Sequence, residues 1–307
     1  MIYTVTLNPA IDYVVQLPGL QVGGINRNRA EDIQFGGKGI NVSGVLNKLG
    51  IANIALGFVA GFTGQGLEKG LQDMGIQTEL IHVAEGLTRI NVKIKAGEET
   101  EINGIGPKIR TGDLEKLYEQ LEGLTGEDYL VLSGSVPSCL QADIYGTIMQ
   151  RLPQGVRVVV DATGRSLRSA LPYQPFLIKP NHHELADFFG VTLSSEEEIV
   201  ACGKKLQEMG AQNVLISMAG DGALLLDETG DVHRIACPKG QVVNSVAAGD
   251  SMVAGFLAGF VTTGSYAYAL KLGTAAGSAT AFSMGLGEKK LIEELLRQLD
   301  RREHGTF

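Results

Sequence analysis

A glycine-rich segment around a single lysine is the strongest local chemical signal in the sequence. It reads FGGKGIN over residues 35–41, and an apolar-periodic helix is predicted over 42–49. Glycines let backbone amides approach a ligand closely, and the start of a helix favours anions. The segment therefore predicts either a phosphate-binding loop, with the Asn41 side chain free for a ligand hydroxyl, or an ordinary glycine-rich turn.

A second segment places a carboxylate at the start of an uncharged stretch. Residues 244–251 read NSVAAGDS, and no charged residue follows from Ser251 to Leu270. Small residues at a helix start expose consecutive N–H groups to an anion. Asp250 is therefore either a general base beside a bound phosphoryl group or a helix cap, and the apolar helix behind it favours the base. The apolar run is too short for a membrane span and predicts a buried helix.

Two more polar segments follow predicted buried strands. Ligands of parallel sheets bind beyond the carboxyl ends of the strands. In KPNHHE, residues 179–184, Asn181 and Glu184 offer oxygen ligands suited to Mg²⁺, whereas His182 and His183 lack metalloprotease spacing and are predicted as surface residues at a helix start. In SMAGDG, residues 217–222, the small side chains predict either a loop against nucleotide phosphates or a hairpin.

Short β-branched runs alternate with helical stretches along the chain, which predicts βαβ units and a mainly parallel sheet. The predicted strands are 2–6, 53–59, 129–133, 156–161, 176–179 and 214–217, and the clearest helices are 114–121, 144–152 and 196–209. Segments 12–17, 88–95 and 100–103 instead alternate polar and apolar residues, with a hairpin turn predicted at 96–99. They predict either a small half-exposed sheet, suited to a lid or a dimer contact, or edge strands of the main sheet. Arg27, Arg29, Arg89 and Lys93 in this region are either phosphate contacts or solvated charges.

Composition excludes several classes of protein. The 307 residues carry a net charge of −8, which argues against a nucleic-acid binder with a general basic surface. Glycine accounts for 41 residues, well above the average share. The three cysteines form no CxxC pair, the N-terminus has no signal-peptide pattern, and neither GxxxxGK[ST] nor a strand-linked GxGxxG is present. We expect a cytoplasmic protein with free thiols and no membrane partner.

Taken in order, the motifs resemble the ribokinase-like carbohydrate kinase family, most closely its 1-phosphofructokinase and tagatose-6-phosphate kinase branch. The resemblance covers nearly the whole chain through LNPAID, FGGKGIN, TRINVKI, SGSVP, KPNHHE, SMAGDG and NSVAAGDSMVAGF. It implies a single α/β domain over 1–307: a three-layer core with a mainly parallel sheet, plus a small β-sheet lid from about 11–34 and 87–104. It also implies ATP-dependent phosphorylation of a sugar hydroxyl and a homodimer formed through the lid.

The resemblance also implies a role for each matching residue. Asp250 matches the base, and the amides of Ala247, Ala248, Gly249 and Asp250 match the anion hole. The matches to the sugar-phosphate site are Asp12, Arg27, Gly37, Lys38, Asn41, Arg89 and Ser135. The matches to the ATP site are Lys179, Asn181, Ser217, Gly220, Gly222, Ala276 and Ser278, with Glu184 linked to Mg²⁺.

One position departs from the family pattern. Ala247 stands where the family usually has the first glycine of GAGD. A β-carbon there costs roughly 1–2 kcal/mol if the backbone φ is positive. The expected function is phosphorylation of fructose 1-phosphate to fructose 1,6-bisphosphate with ATP and Mg²⁺. The alternatives are a tagatose-6-phosphate or fructose-6-phosphate kinase, or a non-catalytic sugar-phosphate sensor.

Overall fold

The computed structural model describes residues 1–303, as thirteen strands and ten helices. The strands are β1 (Ile2–Thr6), β2 (Ala10–Gln16), β3 (Ala30–Gly36), β4 (Asn53–Ala60), β5 (Thr78–Val83), β6 (Arg89–Ala96), β7 (Glu98–Ile102), β8 (Tyr129–Ser133), β9 (Arg157–Asp161), β10 (Leu177–Ile178), β11 (Asn213–Ser217), β12 (Ala223–Leu226) and β13 (Val232–Ile235). The helices are α1 (Lys38–Leu49), α2 (Gly61–Asp73), α3 (Thr111–Glu122), α4 (Ile144–Arg151), α5 (Gly164–Ala170), α6 (His182–Phe189), α7 (Glu196–Glu208), α8 (Ala248–Thr263), α9 (Tyr266–Ala281) and α10 (Lys289–Glu303).

Nine strands form the central sheet in the order β13-β12-β11-β10-β9-β8-β1-β4-β5. All neighbours from β11 to β5 are parallel, and β12 and β13 add an antiparallel edge. Strand side chains alternate between two apolar layers: Leu130 and Leu132 pack against α3 to α7, and Val131 packs against α1 and α8 to α10. Burial of both faces explains the continuous apolar runs of these strands. The expected three-layer α/β core is confirmed.

The remaining strands form a separate four-stranded sheet in the order β3-β2-β6-β7, which we call the lid sheet. It decides between the two readings of the period-two segments, because these strands pair with one another and not with the central sheet. Its β6–β7 connection is tighter than the predicted turn at 96–99: Ala96 pairs with Glu98, and only Gly97, at φ +88°, lies between them.

The structure corrects two details of the predicted elements. Strands β3, β5, β12 and β13 were not predicted as strands, and α1 begins at Lys38 instead of residue 42. The uncharged stretch 251–270 divides at a turn: α8 ends at Thr263, Gly264 follows with a φ of +68°, and the Ser265 hydroxyl caps α9 by accepting from the amide of Tyr268. Within residues 1–303, no helix has the length and apolarity that crossing a membrane requires.

The contact between α8 and α9 depends on glycine. A β-carbon built at Gly255 would lie 2.6 Å from the Leu272 carbonyl oxygen and 2.8 Å from Cβ of Ala276. Because neither neighbour can rotate away, we expect Gly255→Ala to lower the free energy of unfolding by about 1–3 kcal/mol. Urea unfolding checks this.

Gly66→Ala is the matched control, because Gly66 lies in α2 with open space around it. Alanine forms helix more readily than glycine, so this variant should gain about 0.5–1 kcal/mol. Equal stability of the two variants would show that α8 and α9 tolerate a wider spacing.

Candidate active site

A cavity of about 490 Å³ lies beyond the carboxyl ends of β1, β8, β9 and β10, beside the lid sheet. It brings together most of the residues predicted for the site from seven separate stretches of the chain. These are Asp12, Gly37, Lys38, Asn41, Arg89, Ser135, Lys179, Asn181, Glu184, Ser217, Ala247, Gly249 and Asp250. We call it the first cavity.

A second cavity, of about 400 Å³, adjoins the first and shares Asn181, Ser217 and Gly249 with it. Its walls are largely apolar and come from α8, α9 and the segments after β10, β11 and β13. The predicted residues Ala248, Gly220, Gly222 and Ser278 lie here, together with Met252, Phe282, His182 and His183. One polar and one apolar compartment therefore meet at the N-terminus of α8.

Two predicted site residues lie elsewhere. Arg27 is exposed in the connection over 17–29, which extends beyond the end of the lid sheet. Ala276 is fully buried between α8 and α9, opposite Gly255. Helix residues two positions apart point in directions that differ by about 200°, so Ala276 and Ser278 point to opposite sides of α9. In the single chain, the structure brings neither Arg27 nor Ala276 to the predicted site.

Asp250 lies in the first turn of α8, where the two cavities meet. Its carboxylate is 5% exposed and accepts a hydrogen bond from Nδ2 of Asn41 at 2.8 Å. Burial, reinforced by the negative charge of Asp161, raises the pKa of Asp250 to about 6. Asp250 is not the helix cap, since Ala247 holds that position. Asp250 instead lines the first cavity, and a carboxyl group with this pKa can act as a base near neutral pH.

The N-terminus of α8 depends on an unusual backbone conformation. Ala247 has φ +63° and ψ 4°, the left-handed region in which glycine is at home. The N–H of Ala248 donates to the carbonyl oxygen of Ser245 at 3.3 Å, and the N–H groups after it belong to the first turn of α8, which an α-helix leaves without partners of its own. The positive φ under which the β-carbon of Ala247 was predicted to be costly is therefore present, and Ala247 is strained.

Three charged groups form a cluster beside Asp250, in which Asp161 and Lys179 are buried and Lys38 is half-buried. Oδ1 of Asp161, at the end of β9, lies 3.2 Å from Nζ of Lys38 and 3.5 Å from Nζ of Lys179. Burial opposes the charge of Asp161, but Lys179 and Lys38 outweigh it and lower its pKa. Burial likewise opposes the charge of Lys38, whereas Asp161 and Asp250 raise its pKa. The shifts of Asp161 and Lys38 both favour the charged forms of these two groups.

The lid side of the first cavity is a hydrogen-bonded network. Asp12 on β2 lies 3.0 Å from Nζ of Lys93 and accepts from Nδ2 of Asn91 at 2.8 Å. Arg89 donates through Nε to the carbonyl oxygen of Asn8 at 3.1 Å. That contact fixes the guanidinium at the cavity wall and leaves its terminal nitrogens to face a ligand.

Asn181 and Glu184 form two hydrogen bonds with each other. The Asn181 side chain accepts from the amide of Glu184, and Oε2 of Glu184 accepts from the amide of Asn181, both at 2.8 Å. This capping box starts α6 and orients both side chains at the junction of the two cavities. The other carboxylate oxygen of Glu184 remains for a ligand.

Sequence reasoning missed several residues of the first cavity. Asn8 and Asn91 gave no signal, because asparagine is common in loops and half-exposed strands. Asp161 did give one: it ends a predicted strand of the parallel sheet, the position at which ligands bind. The residues of the first cavity that it overlooked include Thr6, Asn8, Asn91, Gly134 and Asp161.

Comparison with known proteins agrees with this geometry. The sequence pattern described as pfkB family carbohydrate kinase matches residues 5–292. The 1-phosphofructokinase of Bacillus subtilis is 49% identical over 97% of this chain and 98% of that protein. The D-tagatose-1-phosphate kinase of Bacillus licheniformis is 40% identical, with the same coverage of both chains.

A solved structure extends the likeness to three dimensions. Phosphofructokinase-2 from Escherichia coli, in complex with fructose-6-phosphate, superimposes with a TM-score of 0.90 at 27% identity. The match covers 98% of this chain and 99% of the other. The family resemblance predicted from the motifs is confirmed, and the chain belongs to the pfkB family of carbohydrate kinases.

Proposed function

We propose that this chain is a 1-phosphofructokinase, which transfers the γ-phosphoryl group of ATP to the free 6-hydroxyl of fructose 1-phosphate. The observation that carries the proposal is the position of Asp250, a buried carboxylate where a polar cavity that contains Lys38, Arg89 and Lys179 meets an apolar one. The 1-phosphofructokinase of Bacillus subtilis supports the choice of substrate.

In this proposal Asp250 accepts the proton of the attacking hydroxyl. Asn41 holds one carboxylate oxygen, so the other faces the hydroxyl. Phosphoryl transfer needs mainly positioning and stabilisation of charge. The first N–H groups of α8 and the ammonium groups of Lys38 and Lys179 surround the point where the two substrates meet.

The sugar phosphate is proposed to occupy the first cavity. Its phosphate is a dianion, which suits Arg89, and its hydroxyls suit Asp12, Asn41 and Ser135. The nucleotide is proposed to place its base in the second cavity, where Gly220 and Gly222 add little bulk and Ser278 offers a hydroxyl.

Mg²⁺ is proposed at the junction of the two cavities. The free oxygen of Glu184 is a hard ligand of the kind Mg²⁺ prefers, and Asn181 beside it suits a contact through water. These residues fit the ion, which when bound neutralises charge on the ATP phosphates. The residues of the chain then have to align the hydroxyl with the phosphorus.

The lid sheet supports the proposal of a homodimer. Tyr13, Ile33, Val92 and Ile102 occupy one register row, and Ile33 and Ile102 are more than half exposed. Asp12, Asn91 and Lys93 point to the opposite face, towards the first cavity.

A second lid sheet would cover the apolar face of the first. Ile33→Asp places a charge in that contact, so it should convert a dimer to a monomer in sedimentation velocity. A monomeric parent would refute the proposal.

A substrate panel tests the proposed function directly. Fructose 1-phosphate, tagatose 1-phosphate, fructose 6-phosphate and tagatose 6-phosphate are each assayed with ATP and Mg²⁺. We expect the highest kcat/KM with fructose 1-phosphate. A preference for tagatose 1-phosphate, the substrate in the name of the Bacillus licheniformis relative, would reassign the chain. Tight binding without turnover of any sugar would instead indicate a sensor.

Arg89→Ala should weaken the sugar phosphate far more than ATP. One charge-assisted contact contributes about 1.5–3 kcal/mol, so KM for fructose 1-phosphate should rise roughly 10- to 100-fold. Arg29→Ala is the control, since Arg29 is exposed and its side chain lies outside the first cavity. Equal losses for both substrates of Arg89→Ala would point to a folding defect.

Asp250→Asn should keep the shape of the site and remove the base. We expect kcat to fall by roughly 10²–10⁴ while both substrates still bind. In the parent enzyme the base must be ionised, so kcat should also decline as the pH falls below about 6. Stopped-time assays across pH and calorimetric binding measure both. Near-normal turnover of the variant would place the base elsewhere.

Ala247→Gly should relieve strain at the anion hole. The left-handed conformation destabilises the protein with Ala247 by about 1–2 kcal/mol. Glycine avoids this strain, but its greater flexibility in the unfolded chain offsets about 0.5–1 kcal/mol of the gain. We expect a more stable protein, an unchanged KM for the sugar phosphate, and a kcat that rises by up to about tenfold, because the hole acts mainly on the transition state.

Gln174→Gly is the control for Ala247→Gly. Gln174 also has a positive φ, of 54°, in a turn away from both cavities. Its replacement should stabilise the fold and leave kcat unchanged. A fall in kcat of Ala247→Gly at unchanged stability would show that the cavity is shaped around the methyl group.

A further inference from the structure

Asp161 is a buried carboxylate to which neither the motifs nor the relatives' names assign a task. It is 1% exposed at the end of β9 and lines the first cavity. One of its oxygens, Oδ1, serves both Lys38 and Lys179, which reach it from α1 and from the segment after β10. Its other oxygen, Oδ2, is buried without a hydrogen-bond partner within residues 1–303.

The two lysine side chains reach Asp161 from different parts of the site. Lys179 reaches the start of α8: a β-carbon built at Gly249 would lie 3.0 Å from its Nζ. Lys38 lies beside the SGSVP segment, where a β-carbon built at Gly134 would be 3.6 Å from Cβ of Lys38. One carboxylate oxygen therefore holds both ammonium groups close to the start of α8, although the two side chains come from different parts of the site.

The carboxylate of Asp161 also reduces the repulsion between the two ammonium groups. Without a negative group between them, the buried ammonium group of Lys179 and the half-buried one of Lys38 would repel each other, and Lys38 would turn towards solvent. Nearby, Asp250 also faces both lysines, and Glu184 faces Lys38. Asp250 is tied to Asn41 and, as the proposed base, gains a proton during the reaction, so it cannot hold the lysines in the same way.

We propose that Asp161 is a positioning residue for phosphoryl transfer, which acts by holding Lys38 and Lys179 together over the phosphoryl group that moves. The inference rests on the proposed function of the two cavities. The lysines stabilise charge that shifts between the oxygens of the transferring group, and such groups accelerate the reaction only when they are fixed in advance. Asp161 itself touches neither substrate.

The test is Asp161→Asn, which keeps the shape and removes the charge. We expect kcat to fall by roughly 10- to 100-fold. KM for ATP and for fructose 1-phosphate should stay the same or decrease, because a negative charge has left a cavity that binds two anions. Loss of a merely structural residue would raise both KM values or lower the amount of folded enzyme.

The pH profile gives a second readout. Asp161 contributes to the raised pKa of Asp250, so the acidic limb of the kcat profile should move to lower pH in Asp161→Asn. Asp227→Asn is the matched control, since Asp227 is also a buried carboxylate, held by His233 and Thr229 in the β12–β13 turn. It should reduce thermal stability and leave both kcat and the acidic limb unchanged.

A double-mutant cycle separates action through the lysines from a direct effect. In a Lys179→Met background, Asp161→Asn should lower kcat at least about threefold less than in the parent, because one of its two partners is already gone. An equal fall in both backgrounds, or an unchanged kcat of Asp161→Asn, would overturn the proposal. If Asp161→Asn alone fails to fold, Asp161→Ser replaces it in both backgrounds, with the same expected and contradicting results.

The outcomes also separate this inference from the proposed function. Loss of turnover in Asp250→Asn with normal turnover in Asp161→Asn refutes the positioning role alone. Normal turnover in Asp250→Asn refutes the assignment of the cavities as the active site, and the positioning role falls with it.

Discussion

A buried carboxylate with a pKa raised to about 6 is the constraint on which the site depends. Burying a charge is costly unless other groups pair with it. Asn41 donates to Asp250, while Lys38 and Lys179 neutralise Asp161 behind it. The groups come from α1, β9, the segment after β10, and α8, so the proposed base depends on the central sheet, which brings four distant parts of the chain together.

Helix packing determines where that base lies. Gly255 and Gly273 allow the backbones of α8 and α9 to approach closely, and this contact holds α8, which carries Asp250 in its first turn, against α9. Gly249 then leaves room for the ammonium group of Lys179 at the same point. The high glycine content of the sequence is therefore explained by close approaches around the site as well as by turns.

The sequence predicted what depends on local pattern. The buried parallel strands, the glycine-rich start of α1 and the position of Asp250 all follow from residue types and spacing. Arg27 and Ala276 were placed by resemblance, and in the single chain they lie away from the cavities because the direction of an exposed connection and of a helix face depends on packing. Asp161 was overlooked because its partners, Lys38 and Lys179, are distant in sequence, so only the folded chain shows the shared oxygen.

The lid sheet links recognition of the sugar phosphate to the state of the opposite face. Successive residues of a strand point to opposite faces, so Asp12 faces the first cavity only if Tyr13 faces away from it. A slip of one residue would bury the apolar row in the cavity and expose Asp12, Asn91 and Lys93. The exposed apolar row is therefore not an independent feature of the surface. It is the necessary counterpart of a polar cavity wall built on β-strands, and whatever covers it also stabilises the register on which the wall depends.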